Sequence, residues 1–277
     1  MADNSPGISL ESITQRVRDL RQAKDIRAEE LQAQLDRVTH QRVALTELGQ
    51  SLERGWVFHT LQLLNDKAKA PAVVEELGVD TVAALRTTCA AESRRIIAQF
   101  PRLFEQALTK GQLVVDADSR HPHYTFDDHF IEVRVLNSGK ARISDREGPL
   151  DDVAADPDAV VQTVQREHAR LFDRPFNGQE VLNRIRRQYL AVIGRQGGQD
   201  GVGVPIRHLT ARMGKNIKGF RTDEFLVDLS RLVARGPLSI DGWSLDLQHT
   251  KDTRQGVLLH GPAGRGYIGF VLFRKEQ

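Results

Sequence analysis

The amino-acid sequence predicts a mainly α protein with a smaller β component, of the α+β class. Helical spacing of apolar residues fills the chain up to residue 110, and short alternating segments are confined to later parts. Hydrophobic residues make up 40% of the 277 residues and charged residues 27%, as in a folded protein with one large domain or two ordinary ones. Aromatic residues, at 6%, are sparse, which favours aliphatic helix packing.

The first predicted element is a long helix over residues 9–52, with Ser9 as its N-cap. Its apolar residues recur every seven positions, a repeat that keeps one face towards a partner helix. The helix would be a rod of roughly 65 Å at about 1.5 Å per residue, too long to bury that face against a compact body. We therefore expect assembly as a homo-oligomer or with a partner coiled-coil protein. The predicted oligomerisation positions are Leu10, Val17, Lys24, Leu31, Val38, Leu45 and Leu52, of which only Lys24 is polar.

Shorter helices are predicted after this rod. Pro71 and Pro101 stand where helices start, and Gly111 ends the helical part of the chain. The predicted helices cover residues 56–69, 71–77, 79–100 and 101–109. This pattern predicts an oligomerisation helix over residues 1–55 and a helical region over residues 56–110.

A small acidic α+β region is predicted over residues 111–176. Between Leu113 and Arg170 there are 12 acidic and 7 basic residues. Alternation predicts strands over residues 112–116, 130–136 and 141–145, the last two joined by a hairpin turn at residues 137–139. We expect a loop over 118–128, an acidic connector over 145–158 and a helix over 157–172.

The last predicted domain, residues 177–277, resembles a winged-helix domain in the order of its elements. Helices are predicted over residues 178–193, 205–213 and 221–234, with a flexible glycine-rich connection at 194–203 and a turn at 214–219. Strands are predicted over 238–240, 244–248, 257–260 and 267–274. The glycine-rich segment 261–266 precedes a strand rather than a helix, so we interpret it as a hairpin tip and not as a nucleotide loop.

Charge favours this last domain for any contact with nucleic acid. Residues 178–235 carry 11 basic and 5 acidic side chains. Asp223, Glu224 and Asp228 lie on the presumed recognition helix and oppose deep entry into a groove, so we expect weak, sequence-independent binding of double-stranded DNA, or binding of a protein instead. The predicted nucleic-acid-binding residues are Arg184, Arg186, Arg187, Arg207, Arg212, Lys215, Lys218, Arg221 and, at the hairpin tip, Arg265.

Two groups of residues could form a metal site or a nuclease site, and each has a simpler interpretation. His121, His123 and His129 lie among several aspartates, but the run is more typical of a solvated loop than of a metal site. Asp116 and Glu132 resemble the metal-binding acids of restriction-type nucleases, although Arg134 stands where that motif has lysine. A cross-face ion pair of Glu132 with Arg134 explains the second element equally well.

The remaining features bound the class of protein. There is no run of 18 apolar residues and no apolar leader, so we expect no membrane contact and a cytoplasmic protein. Cys89 is the single cysteine, and the Ala/Arg-rich composition favours a prokaryotic source. We expect a non-enzymatic accessory or assembly subunit of a DNA-associated complex without a cofactor, of the chromosome-maintenance or anti-phage-defence type. The alternatives are a pure protein-interaction scaffold and a metal-dependent nuclease centred on Asp116 and Glu132.

Overall fold

The computed structural model of the protein describes residues 9–195, 197–261 and 266–276. It confirms the α+β class: within these ranges the chain forms nine helices and two antiparallel sheets, and 58% of it is helical. The helices are α1 (Leu10–Glu53), α2 (Val57–Asn65), α3 (Ala70–Leu77), α4 (Val79–Ala98), α5 (Phe100–Gly111), α6 (Pro157–Phe172), α7 (Gly178–Arg195), α8 (Ile206–Asn216) and α9 (Thr222–Arg235). The strands are β1 (His123–Phe126), β2 (Ile131–Leu136), β3 (Lys140–Asp145), β4 (Gly148–Ala154), β5 (Val204–Pro205), β6 (Ser239–Ile240), β7 (Trp243–Thr250), β8 (Val257–Leu258) and β9 (Tyr267–Lys275). None of the helices in these ranges is both long enough and apolar enough to cross a bilayer.

The chain divides into two compact units, Met1–Arg94 and Arg95–Gln277, and the first contains the long helix. α1 begins where predicted, because the Ser9 side chain accepts a hydrogen bond from the N–H of Ser12. Only its C-terminal part packs in the small core of this unit. That core contains Ala44 and Leu48 of α1 together with Leu63, Leu64, Ala72, Val73 and Val82.

The second unit contains a four-stranded sheet in the order β1-β2-β3-β4, with each neighbouring pair antiparallel. Residues 112–116 form no strand, contrary to the prediction. The expected loop contains β1, and the expected acidic connector contains β4. β4 tolerates its acidic residues because it is an edge strand and because Asp151 and Asp152 pair with Arg166 and Arg142.

The same unit ends in three helices and a second sheet. α7, α8 and α9 enclose a core that includes Leu182, Tyr189 and Leu229, and the sheet has the order β5-β9-β7-β6, with β8 also paired to β9. The two-residue strand β5 escaped prediction because it is short and contains a proline. α8 continues through Asn216 into the turn that was predicted at residues 214–219.

Candidate functional site

The carboxylate of Asp116 is engaged by the backbone of a turn. Its two oxygens accept hydrogen bonds from the N–H of Asp128 at 3.2 Å and from the N–H of His129 at 2.8 Å. Asp127, Asp128 and His129 all have left-handed backbone angles, with φ between 55° and 65°, so the turn needs this support. Glu132 is half-buried in β2, and within the described residues its side chain makes neither a hydrogen bond nor an ion pair. The proposed nuclease acids therefore differ in environment, and Asp116 has a structural role.

The three histidines near this turn point to separate partners. His121 Nδ1 lies 3.2 Å from the Tyr124 hydroxyl, and His129 Nε2 lies 3.2 Å from a carboxylate oxygen of Asp118. His123 is exposed in β1. Across the described ranges, no group of three histidine, cysteine or acidic side chains is arranged so that it could hold a metal ion.

The acids of α9 are neutralised within the fold. Arg170 donates to Asp223 at 2.5 Å and to Glu224 at 2.8 Å, and Arg174 donates to Asp228 at 2.9 Å. Burial opposes ionisation of Asp223, but hydrogen bonds from Arg221 and Arg170 outweigh it and lower the pKa of this carboxyl. These acids do not form the free repulsive charge expected from the sequence.

α9 also offers little surface to a groove. Every residue from Thr222 to Val233 is buried or half-buried, because α6 packs along one side of the helix and the C-terminal core along the other. A recognition helix must expose several side chains to reach base edges. The expectation that α9 faces nucleic acid is therefore wrong for this structure, and any basic contact surface must lie elsewhere.

Two arginines assigned to the basic surface have structural partners instead. Arg186 is buried, pairs with both carboxylate oxygens of Asp200, and lies 4.9 Å from the Trp243 ring centre and 4.8 Å from that of Phe273. Arg207 pairs with Glu147 and donates to the carbonyl of Gly256 at 2.9 Å. The predicted role of Arg186 in binding DNA is therefore corrected, and Arg207 is largely occupied.

Arg186 also changes the interpretation of the glycine-rich connection. Asp200 lies in that segment, and the Tyr189 hydroxyl donates to the carbonyl of Val202 at 2.8 Å while accepting the N–H of Gly201 at 3.1 Å. The segment predicted to be flexible is therefore anchored to α7 at three consecutive residues. The signal missed in the sequence is Asp200, the sole acid between residues 181 and 222.

The remaining cations lie on α7, α8 and the turn after α8. No carboxylate among the described residues pairs with Arg187, Arg195, Lys215 or Lys218, and α8 contains no acidic residue. A groove of about 280 Å³ between α7 and α8 is lined by Arg195, His208, Arg212 and Lys215, with Val192 and Ala211 as its apolar part. We call this surface the α7–α8 basic face, and its members are Arg184, Arg187, Arg195, His208, Arg212, Lys215 and Lys218.

Most members of this face, but not all, were predictable from the sequence. Arg195 and His208 were missed, although both lie one or two turns from predicted members on the same helices. Arg221 pairs with Asp223 and lies at the edge of a second depression with Arg184 and Lys218, which Glu224 and Asp228 also line. Arg265 lies outside the described residues.

The second candidate surface is the apolar side of α1. Large apolar side chains along it are 46–82% exposed, and Leu45 is half-buried. Leu35 joins this surface although it does not fit the repeat that was read from the sequence. We call it the α1 stripe, and its exposed apolar members are Leu10, Ile13, Val17, Leu20, Leu31, Leu35, Val38 and Leu52.

Leu35 shows that the stripe contains one break in its spacing. Up to Lys24, successive stripe positions are alternately three and four residues apart. The step of four that ends at Lys24 is followed by another step of four, to Ala28, and then by a step of three to Leu31. After Leu31 the alternation resumes through Leu35 and Val38. A single extra step of four is a stutter, which locally unwinds a coiled coil without ending it. Lys24 therefore occupies both a core position and the break.

Neither a family model nor a curated protein nor a solved structure matches this chain, so the geometry of these two surfaces is what informs function.

Proposed function

We propose that this protein is a non-enzymatic assembly subunit of a DNA-associated complex, which assembles through the α1 stripe and contacts DNA through the α7–α8 basic face. The observation that carries the proposal is that Arg187, Arg195, Lys215 and Lys218 have no carboxylate partner within the described residues, and that no acid lines the groove between α7 and α8. Unpaired surface cations that are held on rigid helices are the usual means of neutralising phosphates.

The order of elements supports the same interpretation. A helix, a short strand, two helices and a hairpin follow one another from α7 to β9, and β5 pairs with β9 beside β7. This is the order of a winged-helix domain, so we propose a winged-helix-like module. Because α9 is covered, the module would contact DNA through α7 and α8, by backbone contacts rather than by base readout.

Charge reversal on the face tests this contact. We expect Arg195→Glu with Lys215→Glu to weaken binding of a 30-base-pair duplex at least tenfold and to reduce the slope of log affinity against log salt by about 2, because two phosphate contacts are lost. The wild-type dissociation constant should be roughly 10⁻⁴ to 10⁻⁶ M at physiological salt, since no base is read. Fluorescence anisotropy at several salt concentrations measures both quantities.

Two other exposed cations provide the matched control. Arg134 in β2 and Lys140 in β3 lie outside the face, and Arg134→Glu with Lys140→Glu changes the net charge by the same amount. This pair should leave affinity within about twofold, because the phosphates do not reach it. Equal weakening by both pairs, or a wild type that binds no duplex, would contradict the DNA contact and favour a scaffold that acts only through α1.

A further inference from the structure

α1 packs with α2 and α3 in a small helical bundle. The α1 stripe lies on the side of the helix that faces away from this bundle. Ala44, Leu48 and Ser51 are buried against α2 and α3, and Glu47 pairs with Lys69 on that side. At 3.6 residues per turn, the stripe is centred roughly 140° around the helix from Ala44 and Leu48. The bundle therefore leaves the stripe uncovered along most of α1, the exceptions being the half-buried Leu45 and Gly49.

We propose that a second copy of this chain covers the stripe in antiparallel orientation, with Leu31 of one copy opposite Leu31 of the other. The inference rests on the proposed assembly function and adds the identity and direction of the partner. Reversal about Leu31 places Leu10 opposite Leu52 and Val17 opposite Leu45. Leu35 falls opposite Arg27, but the other large apolar members of the stripe fall opposite stripe positions. Most of the stripe is thus complementary to its own reverse, which a surface for an unrelated partner would not need to be.

Charge selects the antiparallel orientation over the parallel one. A parallel in-register pair would place Lys24 against Lys24 and Arg42 against Arg42 in the core, with Arg16 beside Arg21 at both edges. The antiparallel pair places Lys24 opposite Val38 and Arg42 opposite Leu20. Each long side chain can then cover an apolar neighbour while its charge stays in water.

The position of Gly49 supports the antiparallel pairing independently of charge. Glycine inside a helix is unfavourable, and close packing usually explains it. Here a Cβ on Gly49 would meet no atom within 4 Å, so packing within the chain does not require the glycine. Reversal about Leu31 brings Ile13 of the second copy opposite Gly49, where the missing side chain leaves a seat for it.

The arrangement has a consequence for the whole assembly. Leu48 anchors each α1 to its bundle, and the two Leu48 residues would be about 50 Å apart along the rod at about 1.5 Å per residue. The dimer therefore carries one bundle near each end. Two copies of the DNA-contacting module in one particle would raise the apparent affinity for a long duplex without any new contact.

Distances between spin labels test the orientation. In a Cys89→Ala background of the full chain, single labels are placed at Arg18→Cys and at Gln32→Cys, both exposed on α1. The antiparallel pair predicts about 40 Å between the labels at position 18 and less than about 20 Å at position 32. A parallel pair gives short distances at both positions.

Light scattering on the same samples separates the two proposals. A monomer overturns both the assembly function and its orientation. A dimer with a short distance at position 18, or with a long distance at position 32, overturns the antiparallel pairing alone.

A variant in the wild-type background tests the Gly49 seat without altering Cys89. Gly49→Phe should weaken dimerisation at least tenfold, because the ring occupies the place of Ile13. Val43→Phe, at an exposed position outside the stripe, should leave dimerisation unchanged. Dimerisation of Gly49→Phe that equals wild type would contradict the proposed pairing.

Discussion

Asp145 shows how a single buried carboxylate sets a pH dependence of stability. Its Oδ1 accepts the N–H groups of Glu147 and Gly148 at 2.8 Å each, while its buried Oδ2 has no partner within the described residues. Burial raises the pKa of Asp145 to about 6, although the two backbone hydrogen bonds act in the opposite direction. Between about pH 4 and pH 6 the folded state therefore holds a proton that the unfolded chain has released. Stability contributed by this group falls as pH rises through that window and stays low above it.

Asp145→Asn should remove the free-energy cost of burying the ionised Asp145 carboxylate. The amide oxygen keeps the role of Oδ1 as an acceptor, and no charge needs to be buried at any pH. We expect the free energy of unfolding to rise by about 1–2 kcal/mol at pH 8, with a smaller gain at pH 4.5, in urea unfolding experiments. Asp152→Asn should act in the opposite direction at pH 8, because the hydrogen bond from Arg142 lowers the pKa of Asp152. Equal gains from Asp145→Asn at both pH values would show that burial of charge is not the cause.

Within a single element, α7, the neighbouring residues Arg186 and Arg187 have opposite environments. Arg186 holds Asp200 and lies against aromatic rings, whereas Arg187 is exposed and unpaired among the described residues. We expect Arg186→Ala to lower the free energy of unfolding by about 2–4 kcal/mol, because Asp200 loses its partner and the aromatic rings lose a contact. Arg187→Ala should stay within about 0.5 kcal/mol. Urea unfolding compares the two, and hydrogen exchange at residues 199–202 should accelerate in Arg186→Ala only.

The elements with strong periodicity were predictable, and those held by tertiary contacts were not. α6 was predicted at its observed bounds because the apolar spacing, Pro157 and the flanking residues all agree on a helix. β4 was missed since its acidic residues are tolerated through its edge position and through ion pairs with β3 and α6, which no local pattern shows. The anchoring of residues 200–202 was missed for the same reason, because no local pattern shows that Arg186 reaches Asp200.

At the scale of the whole molecule, the two candidate surfaces were predictable to different extents. The α1 stripe was evident from its repeat, and the structure adds Leu35, the break at Lys24 and the open space beside Gly49. The excess of basic residues was evident from the sequence, but which of them lie free on the surface was not. Ion pairs remove Arg186 from it and neutralise the acids of α9, so burial of charge decides which residues remain available.

The assembly depends on the stripe and not on exposed apolar residues in general. Leu31 and Ile26 have nearly equal exposure, at 50% and 51%, but Ile26 lies outside the stripe. Leu31→Glu would place two like charges at the centre of the pair in either orientation, so it should abolish assembly, while Ile26→Glu should not.

Multi-angle light scattering at micromolar concentration measures the mass of the assembly, and so tests the role of the stripe most directly. We expect twice the chain mass of 31.1 kDa for wild type and for Ile26→Glu, and the mass of one chain for Leu31→Glu. A wild type with the mass of one chain, or a Leu31→Glu variant that still assembles, would contradict this role of the stripe.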